Sequence, residues 1–342
     1  MTISYNRKSN RMDPLTHTAT GLFLSRVGLN RWTPSAAPIL MLAANAPDID
    51  IVTASGGSLN YLHYHRHLTH SLVAMPVMAI LPVLLVRGAF RKPVHWAGAF
   101  LAALVAVASH LLLDYTNVYG IRLFLPFSKE WFRLDLTGLI DFWIWGVLLL
   151  AVVGPALARM VGSEISSDTA RTRHHGRGFA MFALVFLLIY NGGRAVLHAR
   201  AVAELDSRLY QGEAPSRVIA VPGFNPLAWR GVVETREFYQ VADVDLTEAF
   251  NPEHGQIFYK PAIDPLIRSA SQSDTFQQFL TFVQAPLWRE SPAPQLENGK
   301  IVELFDMRFG TPLQPGFMTS AWLDGRGRVV KTSFQFGAPR PR

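Results

Sequence analysis

The chain has 342 residues, of which 49% are apolar, only 17% are charged and none is cysteine. A typical soluble domain carries about 25% charged residues, so this composition excludes a disordered chain and speaks against a wholly soluble protein. The absence of cysteine also excludes disulfides, thiolate metal sites, iron–sulfur clusters and a cysteine nucleophile.

The net charge of +7 is confined to the apolar part of the sequence. Residues 1–204 hold 18 Lys and Arg against 10 Asp and Glu, whereas residues 205–342 hold 14 against 15. Basic flanks are typical of membrane helices that face anionic lipid. Because the chain has no basic run with interleaved aromatic residues, we predict no nucleic-acid partner.

Charge-free stretches cover residues 67–86, 93–113, 142–158 and 178–193. A transmembrane helix needs about 20 apolar residues, so the second and third stretches qualify and the other two are marginal. Tryptophan and tyrosine near their ends favour membrane helices over the buried helices of a large soluble core. The sequence therefore predicts about four transmembrane helices. Residues 32–47 are charge-free but interrupted by prolines, which predicts a short buried or re-entrant helix.

The distribution of Lys and Arg predicts the orientation in a bacterial-type inner membrane. With four spans, one side collects 12 basic residues and the other seven. The positive-inside rule then places both termini in the cytoplasm. No signal peptide is expected, since residues 1–11 form a polar, basic tail.

The character of the sequence changes after residue 193. Residues 194–209 predict an amphipathic helix, and residues 274–283 a further helix. Alternating apolar and polar residues predict β-strands at 217–221, 228–235, 238–245, 300–306, 317–323 and 328–336. We therefore expect an all-α integral membrane domain (12–195) followed by a small α+β C-terminal domain (196–342) with a mainly antiparallel sheet.

Histidine and aspartate are concentrated in motifs of the membrane domain. Nine of the eleven histidines precede residue 176. The motifs are Asp13-Pro-Leu-Thr-His17, Pro47-Asp48-Ile-Asp50, His63-Tyr-His65-Arg-His67-Leu-Thr-His70 and His110-Leu-Leu-Leu-Asp114. Residues four apart share one face of a helix, as His110 and Asp114 would, and likewise His63 and His67. All the motifs reach the same predicted side of the membrane, as a single cluster requires.

Imidazole and carboxylate groups are the ligands of Zn²⁺, Mn²⁺ and Fe²⁺, and we expect zinc first. The candidate ligands are His17, Asp48, Asp50, His65, His70, His110 and Asp114. These are more donors than one tetrahedral ion needs, so two or more ions are compatible with the sequence. An unligated Asp48 or Asp50 would act as general base. Arg66 would contact a phosphate oxygen or a lipid headgroup.

The ordered motifs, from Met12 to Tyr190, resemble the signature of the YdjM-type inner-membrane, metal-dependent hydrolases. That family is distantly similar to zinc-dependent phospholipase C. This chain departs from the family pattern at His67, where glycine is usual. The resemblance implies a membrane-embedded, metal-dependent hydrolase.

The residues and the resemblance together predict metal-assisted hydrolysis of an ester or phosphoester by activated water, with a membrane lipid as partner or substrate. Two alternatives stay open: a non-catalytic membrane scaffold that a metal stabilises, and a metal or ion transporter. A transporter needs polar groups on both sides of the membrane midplane, whereas here they gather at one end of the spans.

Overall fold

The computed structural model describes residues 13–165 and 175–336. The predicted tail (1–11) and part of the predicted loop after the third span (166–174) lie outside the described residues. The α-helices are α1 (Pro14–Val27), α2 (Ala36–Ala43), α3 (Ser58–Tyr64), α4 (Met75–Gly88), α5 (Trp96–Thr116), α6 (Phe142–Ile165), α7 (His175–Asp206), α8 (Pro265–Ser271) and α9 (Asp274–Leu280). Short 3₁₀ segments cover Leu29–Arg31, Pro47–Gly56, Leu68–His70 and Pro252–His254.

Three helical segments of the described chain are long and apolar enough to cross a membrane: Trp96–Thr116, Phe142–Met160 and Gly176–Asp206. Two bent helix pairs raise this number to five if each pair forms one broken span. The predicted re-entrant segment belongs to one pair, in which α2 meets the 3₁₀ segment Pro47–Gly56 at 49°. The first predicted span belongs to the other bent pair, in which residues Ser58–His70 meet α4 at 89°. A helical N-terminal membrane region is therefore confirmed, and the number of spans stays a prediction.

Helix α7 is continuous over 32 residues, which corresponds to about 48 Å at 1.5 Å per residue. The sequence predicted two elements here, a span that ends near residue 193 and a separate amphipathic helix. The Gly192–Gly193 pair does not interrupt the helix. Arg194 follows directly and is buried, and its Nε donates to the carbonyl of Leu136 at 2.7 Å. This contact fixes α7 to the chain segment that precedes α6.

Small residues dominate the core between α2, α4 and α5, where buried alanines alternate with a few larger side chains. Gly21 on α1 shows how closely the helices approach, since a Cβ there would lie 2.4 Å from the carbonyl oxygen of Leu40 on α2. Small residues at helix contacts are typical of membrane proteins, where close backbone packing replaces the hydrophobic driving force. The packing therefore agrees with a membrane location.

The buried stripe of α5 leads directly to the candidate site. Its first members are alanines three or four residues apart, from Ala99 to Ala106. The stripe then continues through Val107 to His110 and Asp114, all of them buried. The helical periodicity that packs the alanines against α2 and α4 therefore also buries these two polar groups in the helical unit.

The C-terminal region forms two four-stranded antiparallel sheets in sequence order. The first contains β1 (Arg217–Pro222), β2 (Ala228–Glu234), β3 (Phe238–Asp245) and β4 (Gln256–Tyr259); the second contains β5 (Pro286–Pro292), β6 (Lys300–Asp306), β7 (Phe317–Leu323) and β8 (Val329–Phe336). In the register, Ile219 pairs with Val232 and Leu304 with Thr319. The six predicted strands are confirmed to within a residue or two. The sequence missed β4, which has only four residues, and β5, which begins and ends with proline.

The chain divides into two compact units, each built from segments that are separate in the sequence. One unit contains Met12–Asp50 and Arg66–Val196; the other combines Ile51–His65 with the described residues from Leu197 onward. In this second unit the ring of Tyr61 on α3 meets Phe336 of β8 edge to face, at 6.3 Å. The domain limits expected from the sequence stay a prediction.

Candidate metal centre

Four buried side chains of the helical unit converge: Asp48, His70, His110 and Asp114. The Nε2 atoms of His70 and His110 lie 3.1 Å apart. Asp48 Oδ1 lies 3.3 Å from the first of these nitrogens and 3.6 Å from the second. Asp114 Oδ2 lies 3.4 Å from each of them. We call these residues the four-residue cluster.

These separations match the edges of a metal coordination tetrahedron. Zinc–nitrogen and zinc–oxygen bonds of about 2.0–2.2 Å place neighbouring ligand atoms of a tetrahedron about 3.3–3.6 Å apart. The five separations above run from 3.1 to 3.6 Å. The donor set is therefore of the right size and chemistry for one divalent ion.

Hydrogen bonds behind the two histidines orient their Nε2 atoms toward the cluster. His110 Nδ1 lies 2.7 Å from the carbonyl oxygen of Ala44, which can only accept, so this nitrogen carries the proton. His70 Nδ1 lies 3.4 Å from Asp50 Oδ2 and 3.1 Å from the Thr69 hydroxyl. A carboxylate or carbonyl behind the imidazole is the usual arrangement at metal-binding histidines, because it fixes the tautomer and strengthens the ligand.

The cluster gathers negative charge around two histidines. When each imidazole carries its proton on Nδ1 alone, two Nε2 atoms and two carboxylate oxygens point lone pairs at one another inside the protein, where an unpaired charge is costly. Asp114 Oδ2 and Asp48 Oδ2 are both buried without a hydrogen-bond partner among the described residues. A divalent cation would satisfy Asp114 Oδ2 and relieve the repulsion, so the residues present fit a metal.

Local structure explains how each member reaches this point. His110 and Asp114 face the same way because they stand one turn apart in the last turns of α5. His70 ends the 3₁₀ segment Leu68–His70, and Asp48 lies at the start of the 3₁₀ segment Pro47–Gly56. Both residues lie beside the breaks of the bent helix pairs, where irregular backbone places side chains that a straight helix would not.

Three other predicted site residues surround the cluster. His17 stacks on His110 with ring centroids 3.9 Å apart, and its Nε2 lies 3.6 Å from Asp114 Oδ1. Asp50 stands behind His70 and accepts the backbone N–H of Arg66 at 2.8 Å. The guanidinium of Arg66 donates to Asp114 Oδ1 at 2.7 Å. His17 and Arg66 therefore contact Asp114 through Oδ1, and Asp50 contacts His70 through Nδ1.

His65 is not a member of the four-residue cluster. It is buried in the unit that includes the C-terminal region, where its ring stacks on Tyr61 at 4.6 Å. The expected common face of His63 and His67 is wrong, because α3 ends at Tyr64 and the chain then turns through Arg66. His67 stands at the start of the next 3₁₀ segment.

Two further aspartates cap helices. Asp13 accepts the backbone N–H of Thr16 at the start of α1, as expected of an aspartate before proline, and also the indole N–H of Trp145 at 2.7 Å. Asp141 accepts backbone N–H groups at the start of α6 and the hydroxyl of Tyr190 at 2.9 Å. These carboxylates connect α1, α6 and α7.

Sequence reasoning missed the segment that follows α5, because it contributes an amide oxygen, a backbone carbonyl and an aromatic ring rather than histidine or aspartate. Arg66 Nη1 donates to Asn117 Oδ1 and to the carbonyl of Gly120, both at 3.0 Å. Its guanidinium also covers the ring of Tyr119 at 5.1 Å. Farther along, Arg122 stacks on Trp131, and burial lowers the pKa of Arg122 to about 10, so it stays charged at neutral pH.

Apolar helices long enough to cross a membrane, together with a buried cluster of His and Asp, define an integral membrane protein with a candidate metal centre. Residues 12–201 match the model of the YdjM inner membrane protein family, and the chain belongs to this family. This match confirms the resemblance that the sequence motifs indicated. It also confirms that the family is one of inner-membrane proteins. The chain is also similar to the uncharacterized protein YfhP of Bacillus subtilis (strain 168), with 27% identity over 293 residues and 81% of each chain covered. No solved structure matches.

Proposed function

We propose that this protein is a membrane-bound, metal-dependent hydrolase that cleaves an ester or phosphoester of a lipid at the membrane interface. The observation that carries the proposal is the four-residue cluster, with its close donor atoms and its two carboxylate oxygens that have no hydrogen-bond partner among the described residues. A divalent ion, zinc first and manganese or iron as alternatives, supplies Lewis acidity toward the substrate oxygen and makes water more acidic.

The donor set favours a catalytic over a purely structural role. Structural zinc sites are commonly rich in cysteine, whereas catalytic sites use three histidine or carboxylate ligands and keep one position open. His70 and His110 are fully buried and the Asp114 side chain is 3% exposed, while Asp48 is 10% exposed. We assign the first three as the ligands that hold the ion and Asp48 as the member at the open position.

Asp48 is then the candidate general base. Its Oδ1 faces the two histidines, and its Oδ2 has no hydrogen-bond partner among the described residues. A carboxylate oxygen in this situation can accept the proton of an attacking water molecule. Asp50 has a different task, because it stands behind His70 and is held by the backbone of Arg66.

Exposed apolar side chains beside the site residues support a lipid substrate. Ile49 lies between Asp48 and Asp50 in the sequence and is 53% exposed. Leu68 and Leu72 flank His70 and are 48% and 45% exposed. Large exposed apolar groups next to a polar centre fit acyl chains around a headgroup. We therefore propose a lipid rather than a soluble ester as substrate.

Removal and return of metal test the proposal. The purified protein in detergent should contain a divalent metal by elemental analysis, and it should hydrolyse one of a panel of phospholipids and fluorogenic esters. Chelation should abolish the activity, and added Zn²⁺, Mn²⁺ or Fe²⁺ should restore it. Activity that survives complete metal removal would refute a metal-dependent hydrolase.

A second candidate is a non-catalytic membrane protein that a metal stabilises. The observation in its favour is that four protein donor atoms already lie within 4.8 Å of one another, and closed structural sites take all four ligands from the protein. This candidate shares the metal content of the first but predicts no turnover on any substrate. A metal-loaded protein whose thermal stability falls on chelation, and which is inactive on the whole panel, would favour it.

We further propose that the four-residue cluster and both termini lie on the cytoplasmic side. The positive-inside rule supports this orientation, with 12 basic residues against seven for four spans. A phosphatase reporter fused after Ile165 at the end of α6 should be active only outside the cytoplasm, and a cytoplasmic reporter should be active after residue 342. Phosphatase activity at the second fusion and not at the first would reverse the orientation.

A further inference from the structure

Arg66 has an unusual position for a charged residue. It is 6% exposed, and its φ of +52° lies in the left-handed region that residues other than glycine rarely adopt. From this conformation its backbone N–H reaches Asp50 Oδ2 at 2.8 Å and its guanidinium reaches Asp114 Oδ1 at 2.7 Å. These two carboxylates stand on opposite sides of the His70 ring, at Nδ1 and at Nε2. One residue thus holds both carboxylates that flank a candidate ligand.

The ion pair determines how Asp114 can bind metal. Because the guanidinium occupies Oδ1, Asp114 presents Oδ2 alone to the two histidine nitrogens. A carboxylate that bridges two metal ions with one oxygen on each ion uses both oxygens, and the guanidinium blocks this mode at Asp114. Within residues 13–165 and 175–336 there is also no second group of three His, Asp or Glu residues that could hold an ion. The described geometry therefore disfavours a second ion at Asp114 Oδ1.

The local charges lead to the same result. Asp48, Asp50 and Asp114 are buried and bring three negative charges, and Arg66 brings one positive charge. Two negative charges are left, which one divalent cation neutralises. A second divalent cation would leave two uncompensated positive charges in the protein interior, where they are costly.

We propose that Arg66 takes the place of a second metal ion and makes this a site for one divalent cation. The proposal rests on the metal site of the proposed function. It makes Arg66 a positioning residue that acts through Asp114 and Asp50. Binding of a substrate phosphate is a poor alternative, since Nη1 and Nη2 are already used by Asn117, Gly120 and Asp114, and only Nε has no partner among the described residues.

Titration of the metal-free, full-length protein with Co²⁺ tests the proposal, because the visible spectrum of cobalt reports its ligand geometry. Wild type should saturate at one ion per chain. Arg66→Gln should bind Co²⁺ about 10- to 100-fold more weakly, as expected when the partner behind a ligand is lost, with an altered spectrum. Arg66→Lys keeps the charge and should recover part of the affinity.

The matched control is Arg91→Gln, since Arg91 also has a φ of +52° but is exposed. It should bind like wild type, which separates the ion pair from the left-handed backbone. Saturation of wild type at two ions, or an unchanged affinity and spectrum in Arg66→Gln, would overturn the proposal. If Arg66→Gln does not fold by circular dichroism, the same criteria apply to Arg66→Lys. Failure of wild type to bind any Co²⁺ would instead refute the metal site itself.

Discussion

His70→Ala should remove the metal from the purified protein. The Nε2 of His70 lies within 3.4 Å of a donor atom of each other member of the four-residue cluster. Its loss leaves two carboxylates and one imidazole without the donor that they share. Metal affinity should therefore fall by more than the roughly 10- to 100-fold that the loss of a partner behind a ligand costs. Elemental analysis of the protein and titration with Zn²⁺ measure this effect.

His95→Ala is the matched control, because His95 is exposed and precedes α5 rather than joining the cluster. It should keep the wild-type metal content. The thermal stability of His70→Ala should also lose its dependence on added metal, because only the native state of wild type gains free energy from the ion. Wild-type metal content in a folded His70→Ala protein would contradict the site.

The membrane helices and most strands could be predicted from the sequence, because hydropathy and alternation depend on local composition. Breaks were harder to place. The charge-free stretch stops at Gly193 and suggested an end to the fourth span there, yet α7 continues and Arg194 finds a backbone partner in Leu136. The reverse happened at residues 63–67, where a continuous helix was expected. His63 and His67 were predicted to share one helical face, but Arg66 adopts a left-handed conformation and turns the chain. Tertiary contacts decide both cases, and local propensity does not report them.

For the site, spacing predicted the pair His110 and Asp114 because both belong to one helix. It could not rank the other candidates, since their approach depends on the bends before α4 and after α2. The structure brings Asp48 and His70 into the four-residue cluster, whereas Asp50 stands behind His70. The hydrogen bond from His110 to the carbonyl of Ala44 leaves no trace in residue identity, because any residue supplies that acceptor.

Asp48→Asn should abolish hydrolysis while the protein keeps its metal. The change preserves the shape of the side chain but removes the charge and the basicity of Oδ2, which has no described hydrogen-bond partner. Loss of a general base lowers the rate by about 10²- to 10⁴-fold. His70, His110 and Asp114 stay in place as three donors, which suffices for a catalytic zinc site. The turnover number and the metal content, measured on the same preparation, test this separation of roles.

The control is Asp206→Asn, an exposed aspartate at the end of α7 that should alter neither quantity. Asp114→Asn gives the opposite comparison: this deeply buried carboxylate faces both histidines, so its neutralisation should remove metal and activity together. Loss of metal in Asp48→Asn as well would make Asp48 a fourth ligand and close the site, which favours the non-catalytic candidate. An active, metal-loaded Asp48→Asn protein would show that the attacking water loses its proton to another group. The two measurements together therefore decide whether Asp48 binds the ion, accepts the proton or does neither.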